Sequence, residues 1–124
     1  MHQNCGKHRL TEEVALSIKP ALYARKLVDG AGLHLLIMPN DHRYWRYQYR
    51  FEGRQKTLAL GVYPYISLQV ARGRHRFARR LLADGIDPST LKRTLGKQAF
   101  ARAAQEWLVE RHQRMAKRSA KVAS

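Results

Sequence analysis

The chain of 124 residues carries 24 Lys and Arg against 9 Asp and Glu, a formal charge of +15, and so one-sided a balance repels itself until a polyanion neutralises it. Its length allows one modest core with an appendage rather than two full-sized domains. No apolar run reaches the about 18 residues needed to span a bilayer, and Met1 to Leu10 holds no apolar signal-peptide core, so a soluble, cytoplasmic protein with no membrane partner is expected.

The one cysteine, Cys5, cannot close an internal disulfide. His2, Cys5 and His8 cluster at the N-terminus but lack the fourth ligand of a closed zinc site, and the other histidines are scattered. Neither a metal nor a cofactor is expected.

In chain order, Thr11 reads as the N-cap of a short helix whose first turn holds Glu12 and Glu13, facing the positive end of the helix dipole. Lys19-Pro20 ends it. Arg25 to Val28 is a first strand, Asp29-Gly30-Ala31-Gly32 a tight turn, and Leu33 to Met38 a second strand. Tyr44 to Phe51 alternates with period two, Glu52-Gly53 stands where a two-residue hairpin turn belongs, and Arg54 to Leu60 returns. Ser67 caps a helix from Leu68 to about Ala83, with an apolar stripe of Leu68, Ala71, Ala78 and Leu82 flanked by Phe77 and Leu81. Asp84-Gly85-Ile86 reads as a Schellman end with Ile86 packing back, and Asp87-Pro88-Ser89 as a stop.

Ser89 to Gly96 carries no strong pattern and reads as a linker. A last helix, from about Gln98 to Lys117, shows an apolar side of Phe100, Ala103, Ala104, Trp107, Leu108 and Met115. That stripe must dock on what precedes it or belong to a domain completed elsewhere. The pattern is α+β: a small antiparallel sheet of three to four strands packed on a C-terminal helix, with a short N-terminal helix, then a linker and one further helix. The expected division is 1–88, a linker at 89–97, and 98–124.

The hairpin is the most informative element. With Glu52-Gly53 as its turn, Arg50 pairs with Gln55, Tyr49 with Lys56, Gln48 with Thr57, Tyr47 with Leu58, Arg46 with Ala59 and Trp45 with Leu60. One face then carries Trp45, Tyr47, Tyr49, Phe51, Leu58 and Leu60, a partner for the helix stripe. The other carries Tyr44, Arg46, Gln48, Arg50, Gln55 and Thr57 without an acid. Arg and Gln hydrogen-bond bidentately to guanine and adenine edges, and a β-ribbon fits the major groove. Arg54 and Lys56 add charge near the turn. On the helix, Arg72, Arg76, Arg79 and Arg80 share a side, with Arg74 nearby, and are expected to hold phosphates.

Five stretches together carry a resemblance: Asp29-Gly30-Ala31-Gly32-Leu33, Tyr44-Trp45-Arg46-Tyr47, Lys56-Thr57-Leu58-Ala59-Leu60-Gly61-Val62-Tyr63-Pro64, Ser67-Leu68 with Ala71-Arg72, and Leu82-Ala83-Asp84-Gly85-Ile86-Asp87-Pro88. In order and spacing, about Leu10 to Pro88 resembles the N-terminal domain of phage and prophage tyrosine-recombinase integrases. The resemblance implies an arm-type DNA-binding domain, a sheet backed by a helix that enters the major groove of double-stranded DNA. It also implies a linker to a core-binding domain, whose first helix Phe100 to Leu108 resembles, and a catalytic domain beyond. Other integrase domains and protomers would be partners. No stretch matches the family's catalytic motifs, so no catalytic residue is expected here. Val70 departs from the pattern where an acid would complete a capping box with Ser67, as do Ala31 within a glycine run and Gly73 in the helix. An RNA-binding module and a protein-interaction fragment acting through the last helix are the alternatives.

Overall fold

The computed structural model describes residues 9–123, with side chains through 117. The histidine and cysteine cluster at His2, Cys5 and His8 lies outside them. The fold is α+β, in the order α1 (Glu12–Ser17), β1 (Arg25–Gly30), β2 (Leu33–Ile37), β3 (Arg43–Phe51), β4 (Arg54–Tyr63), α2 (Leu68–Ala83), α3 (Pro88–Leu95) and α4 (Lys97–Ala123). The chain forms two compact units, one through His75 and one from Arg76.

In the first unit the strands form a four-stranded antiparallel meander, β1-β2-β3-β4. The hairpin register matches the expectation from Phe51 and Arg54 back to Arg46 and Ala59, where a bulge makes Trp45 face Gly61 rather than Leu60. An extra residue in one strand leaves Leu60 inward while β4 runs on to Tyr63, a shift that period-two alternation cannot show. Glu52 and Gly53 have φ of 51° and 78°, as a type I′ turn requires.

The inward side of the sheet is apolar and closed: Leu33, Leu35, Ile37 and Trp45 are fully buried, and Tyr47, Tyr49, Leu58 and Leu60 nearly so. Trp45 Nε1 donates to the Ile66 carbonyl at 2.7 Å, giving its one polar atom a partner. The first half of α2 backs this side. His75 lies edge-on to Tyr47 with ring centroids 4.7 Å apart, and its Nε2 lies 2.9 Å from the Ala31 carbonyl. His75 thus stands in the buried stripe between Ala71 and Ala78, whereas Leu82 is only partly covered.

Two helix ends are satisfied from a distance. Thr11 caps α1 through Val14 N–H at 3.1 Å, and Arg43 closes its far end by donating to the carbonyls of Ala15 and Ile18, both at 2.6 Å. Ser67 Oγ accepts from Val70 N–H at 3.2 Å. An acid does reach this end from elsewhere: Glu12 Oε1 accepts from Leu68 N–H at 3.1 Å, one position on from the N-cap N–H that a capping-box acid would take.

In the second unit α2 ends as a Schellman motif, Ile86 N–H to Leu81 carbonyl at 2.8 Å and Gly85 N–H to Leu82 carbonyl at 3.0 Å, although Ile86 stays 41% exposed. Asp87-Pro88 starts a helix instead of stopping the chain. Asp87 accepts from Ser89 N–H at 3.1 Å and from Thr90 Oγ1 at 3.1 Å, with Pro88 in the first turn. A capping acid followed by proline is pre-organised for helix entry, so the stretch read as a patternless linker is largely α3. The apolar side of α4 is partly covered within this unit: Phe77 lies 5.6 Å from Phe100 and 5.7 Å from Trp107, and Ala104 is buried.

Candidate nucleic-acid interface

The outward side of the sheet is open and built in cross-strand rows. One row is Lys26, Leu36, Tyr44 and Val62, and the next is Val28, His34, Arg46 and Ala59. Toward the hairpin turn follow Gln48 with Thr57 and Arg50 with Gln55. None of these positions holds an acid. Six of the expected contact residues, Tyr44, Arg46, Gln48, Arg50, Gln55 and Thr57, therefore share one face.

Several of these side chains are already held. The Arg46 guanidinium sits 5.5 Å from the centroid of the Tyr44 ring, a cation–π contact that orients its donors. Tyr44 Oη lies 3.4 Å from His42 Nδ1. Lys26 Nζ donates to Gln48 Oε1 at 2.8 Å, reaching diagonally across the row that contains His34. Arg50 Nη2 donates to the Gly53 carbonyl at 3.3 Å, tying the arginine to the turn.

His34 is the buried member of the open face, 5% exposed. Desolvation by burial, followed by the positive charge of Lys26, holds its pKa below the ordinary value of 6.5, with Arg46 adding to the effect against a backbone hydrogen bond at Gly32. Protonation of the imidazole is thus disfavoured under a cationic surface.

The remaining expected contacts are placed elsewhere. Arg54 faces Phe51 and Lys56 faces Tyr49, so both lie on the reverse side of the sheet near the turn, because a two-residue turn fixes their parity. Arg72 is engaged within the fold. Its Nε donates to Asp29 Oδ2 at 3.0 Å, and its Nη2 to Asp29 Oδ1 at 2.9 Å and to the Leu10 carbonyl at 2.7 Å. Arg74 donates to the Leu60 carbonyl at 2.7 Å, and burial lowers its pKa from the usual arginine value. In the second unit Arg76, Arg79 and Arg80 are exposed, with Arg80 paired to Asp84 at 3.2 Å.

Lys26, Val28, His34 and Leu36 were missing from the sequence reading of this face. Their signal was the same alternation seen in the hairpin, Lys26 with Val28 and His34 with Leu36, but short first strands give no register of their own. Of the Trp and Tyr rings of β3, only that of Tyr44 is on the open face, since Trp45, Tyr47 and Tyr49 are buried behind it.

Residues 10–94 match the family model described as the arm DNA-binding domain. Over 81 residues the chain is 52% identical to the putative protein IntB of Escherichia coli strain K12, covering 64% of this chain and 20% of that protein. It is 32% identical over 110 residues to the integrase of Enterobacteria phage P4, covering 83% of this chain and 25% of the integrase. It is 36% identical over 115 residues to the prophage integrase IntZ of E. coli strain K12, covering 86% and 29%. The chain thus spans between a fifth and a third of the length of these curated relatives. By the family match over its sheet and helices, the chain belongs to the arm DNA-binding domain family.

Proposed function

We propose that this chain is the arm-site recognition module of a phage or prophage tyrosine-recombinase integrase and binds duplex DNA by laying the open face of its sheet into the major groove. The observation that carries this reading is the acid-free face centred on Arg46, Gln48 and Arg50, on a chain with a formal charge of +15. Arginine and glutamine carry the donor and acceptor pairs that read guanine and adenine edges. Strands lie about 4.8 Å apart, so two or three of them fit the about 12 Å width of the groove.

Within this reading, residues up to Pro88 form the DNA-reading module, the segment 89–97 connects, and α4 is the first helix of a core-binding domain. Strand transfer belongs to a catalytic domain elsewhere in the parent integrase. Arg76, Arg79 and Arg80 are exposed cations suited to phosphate. Arg54 and Lys56 would meet a phosphate strand only at the end of the hairpin.

The test is a binding titration against duplex DNA over a range of salt. If about six phosphates are contacted, log affinity falls against log salt with a slope of about −5. A retained consensus must also emerge from a random duplex pool. Tighter binding to single-stranded RNA than to the selected duplex would overturn the reading.

A further inference from the structure

Strands β3 and β4 contribute differently to the open face. Across the hairpin Gln48 faces Thr57, Arg46 faces Ala59, and Tyr44 and Val62 face one another beyond the bulge. Each of these three pairs sets a long polar side chain from β3 beside a short one ending in a methyl group from β4, while Arg50 with Gln55 next to the turn has a long side chain on both strands. Thr57 and Ala59 are exposed and Val62 is 40% exposed, so none of the three is spent on the core behind the sheet. Alanine is mildly depleted from strands.

Short side chains let the β4 backbone come closer to the floor of a groove than β3 can, and they present methyl carbon at that depth. Thymine is the base whose major-groove edge ends in a methyl group. Neighbouring strands are about 4.8 Å apart and base pairs rise by about 3.4 Å. With the cross-strand direction running along the DNA axis, the two members of a cross-strand pair would fall on adjacent base pairs rather than on the same one.

We infer that the two strands divide the reading: Arg46 and Gln48 hydrogen-bond purine edges, while Thr57, Ala59 and Val62 pack on the C5-methyl groups of thymines at the neighbouring positions. This inference rests on the proposed duplex-DNA function and adds to it a residue-level specificity, thymine beside each purine read by β3. Charge plays no part in the β4 contacts, so they distinguish sequences that the phosphate contacts treat alike.

The experiment uses the 124-residue chain. A duplex is selected from a random pool containing thymine, and each thymine of the winner is then replaced singly by deoxyuridine, which removes the methyl and nothing else. The expected result is a loss of about fourfold at two or more positions, the equivalent of one buried methyl group. Thr57→Ser keeps the hydroxyl and removes the methyl, and should abolish the loss at one of those positions while leaving the others. Val62→Ala should abolish it at a different one. Equal affinity for thymine and deoxyuridine at every position, in a duplex that was nonetheless selected, overturns the inference and spares the proposed function. Variants that retain every deoxyuridine penalty also overturn it. A pool that shows no enrichment overturns both.

Discussion

Arg72 and Asp29 are joined side-on, Nε to Oδ2 at 3.0 Å and Nη2 to Oδ1 at 2.9 Å, with the Asp29 side chain fully buried. Asp29 Oδ1 also accepts from the N–H groups of Arg9 at 3.0 Å and Leu10 at 2.8 Å. One carboxylate therefore binds β1, the segment leading into α1, and α2. Truncating one partner of such a pair leaves a buried charge uncompensated, at a cost of about 3 to 5 kcal/mol. Arg72→Ala should lose about that much stability in urea denaturation, whereas a change at the exposed Arg79, Arg79→Ala, should stay within about 0.5 kcal/mol of the parent. An Arg72→Ala protein with an unchanged midpoint would show that the pair is decorative.

Gly32 and Gly53 both sit in hairpin turns with positive φ, 89° and 78°, but their surroundings differ. A Cβ on Gly32 would come within 2.2 Å of the Gln48 carbonyl oxygen and 2.9 Å of the Tyr47 ring, while one on Gly53 would meet nothing within 4 Å. Gly53→Ala should cost the left-handed backbone penalty alone, about 1 to 2 kcal/mol. Gly32→Ala should cost distinctly more, because it also pushes β3 away from a turn whose Gly32 carbonyl accepts from Gln48 N–H at 2.9 Å. Thermal melts of the two variants side by side decide the ranking.

His34 predicts how stability depends on pH. Its pKa in the folded chain lies below 6.5 because burial and Lys26 disfavour the imidazolium, so below pH 6.5 the unfolded chain takes up a proton that the folded one refuses. Stability then falls as pH drops from 6.5 toward the folded pKa and levels off once the folded imidazole is also protonated. His34→Gln should flatten that window. A parent and variant with parallel stability curves between pH 7 and pH 5 would exclude His34 as the cause.

Arg46 and Arg50 separate base reading from charge. Arg46→Ala and Arg50→Ala should reduce discrimination between the selected duplex and a scrambled one by about 1 to 3 kcal/mol each. Arg76→Ala or Arg79→Ala should weaken both duplexes alike and lower the salt slope by about 1. If all four variants lose equally on both duplexes, the sheet face contributes charge and no sequence information.

The hairpin was legible because two independent signals agree there. Glu52-Gly53 defines the turn, and alternation from Tyr44 to Phe51 defines the faces, so a slip of one residue would have broken the sorting of Trp45, Tyr47 and Tyr49 from Arg46, Gln48 and Arg50. The last pair was misread because the bulge at Trp45 and Gly61 is a feature of how the strand bends over the core. The helix at Pro88–Leu95 was lost for another reason: Asp87-Pro88 is equally good as a stop and as a start, and only the chain beyond it chooses.

Arg72 marks the same boundary from the side of function. In the sequence it stands among arginines of one helix face and is indistinguishable from Arg79, since local pattern carries charge and periodicity but not the partner. The excess of positive charge, the α+β order of elements and the two-faced hairpin follow from the chain alone, because each depends on spacing over a few residues. Which arginine is spent holding the fold follows only from tertiary structure: Asp29 lies 43 positions away. The cost of burying its carboxylate is met when β1 and α2 come together.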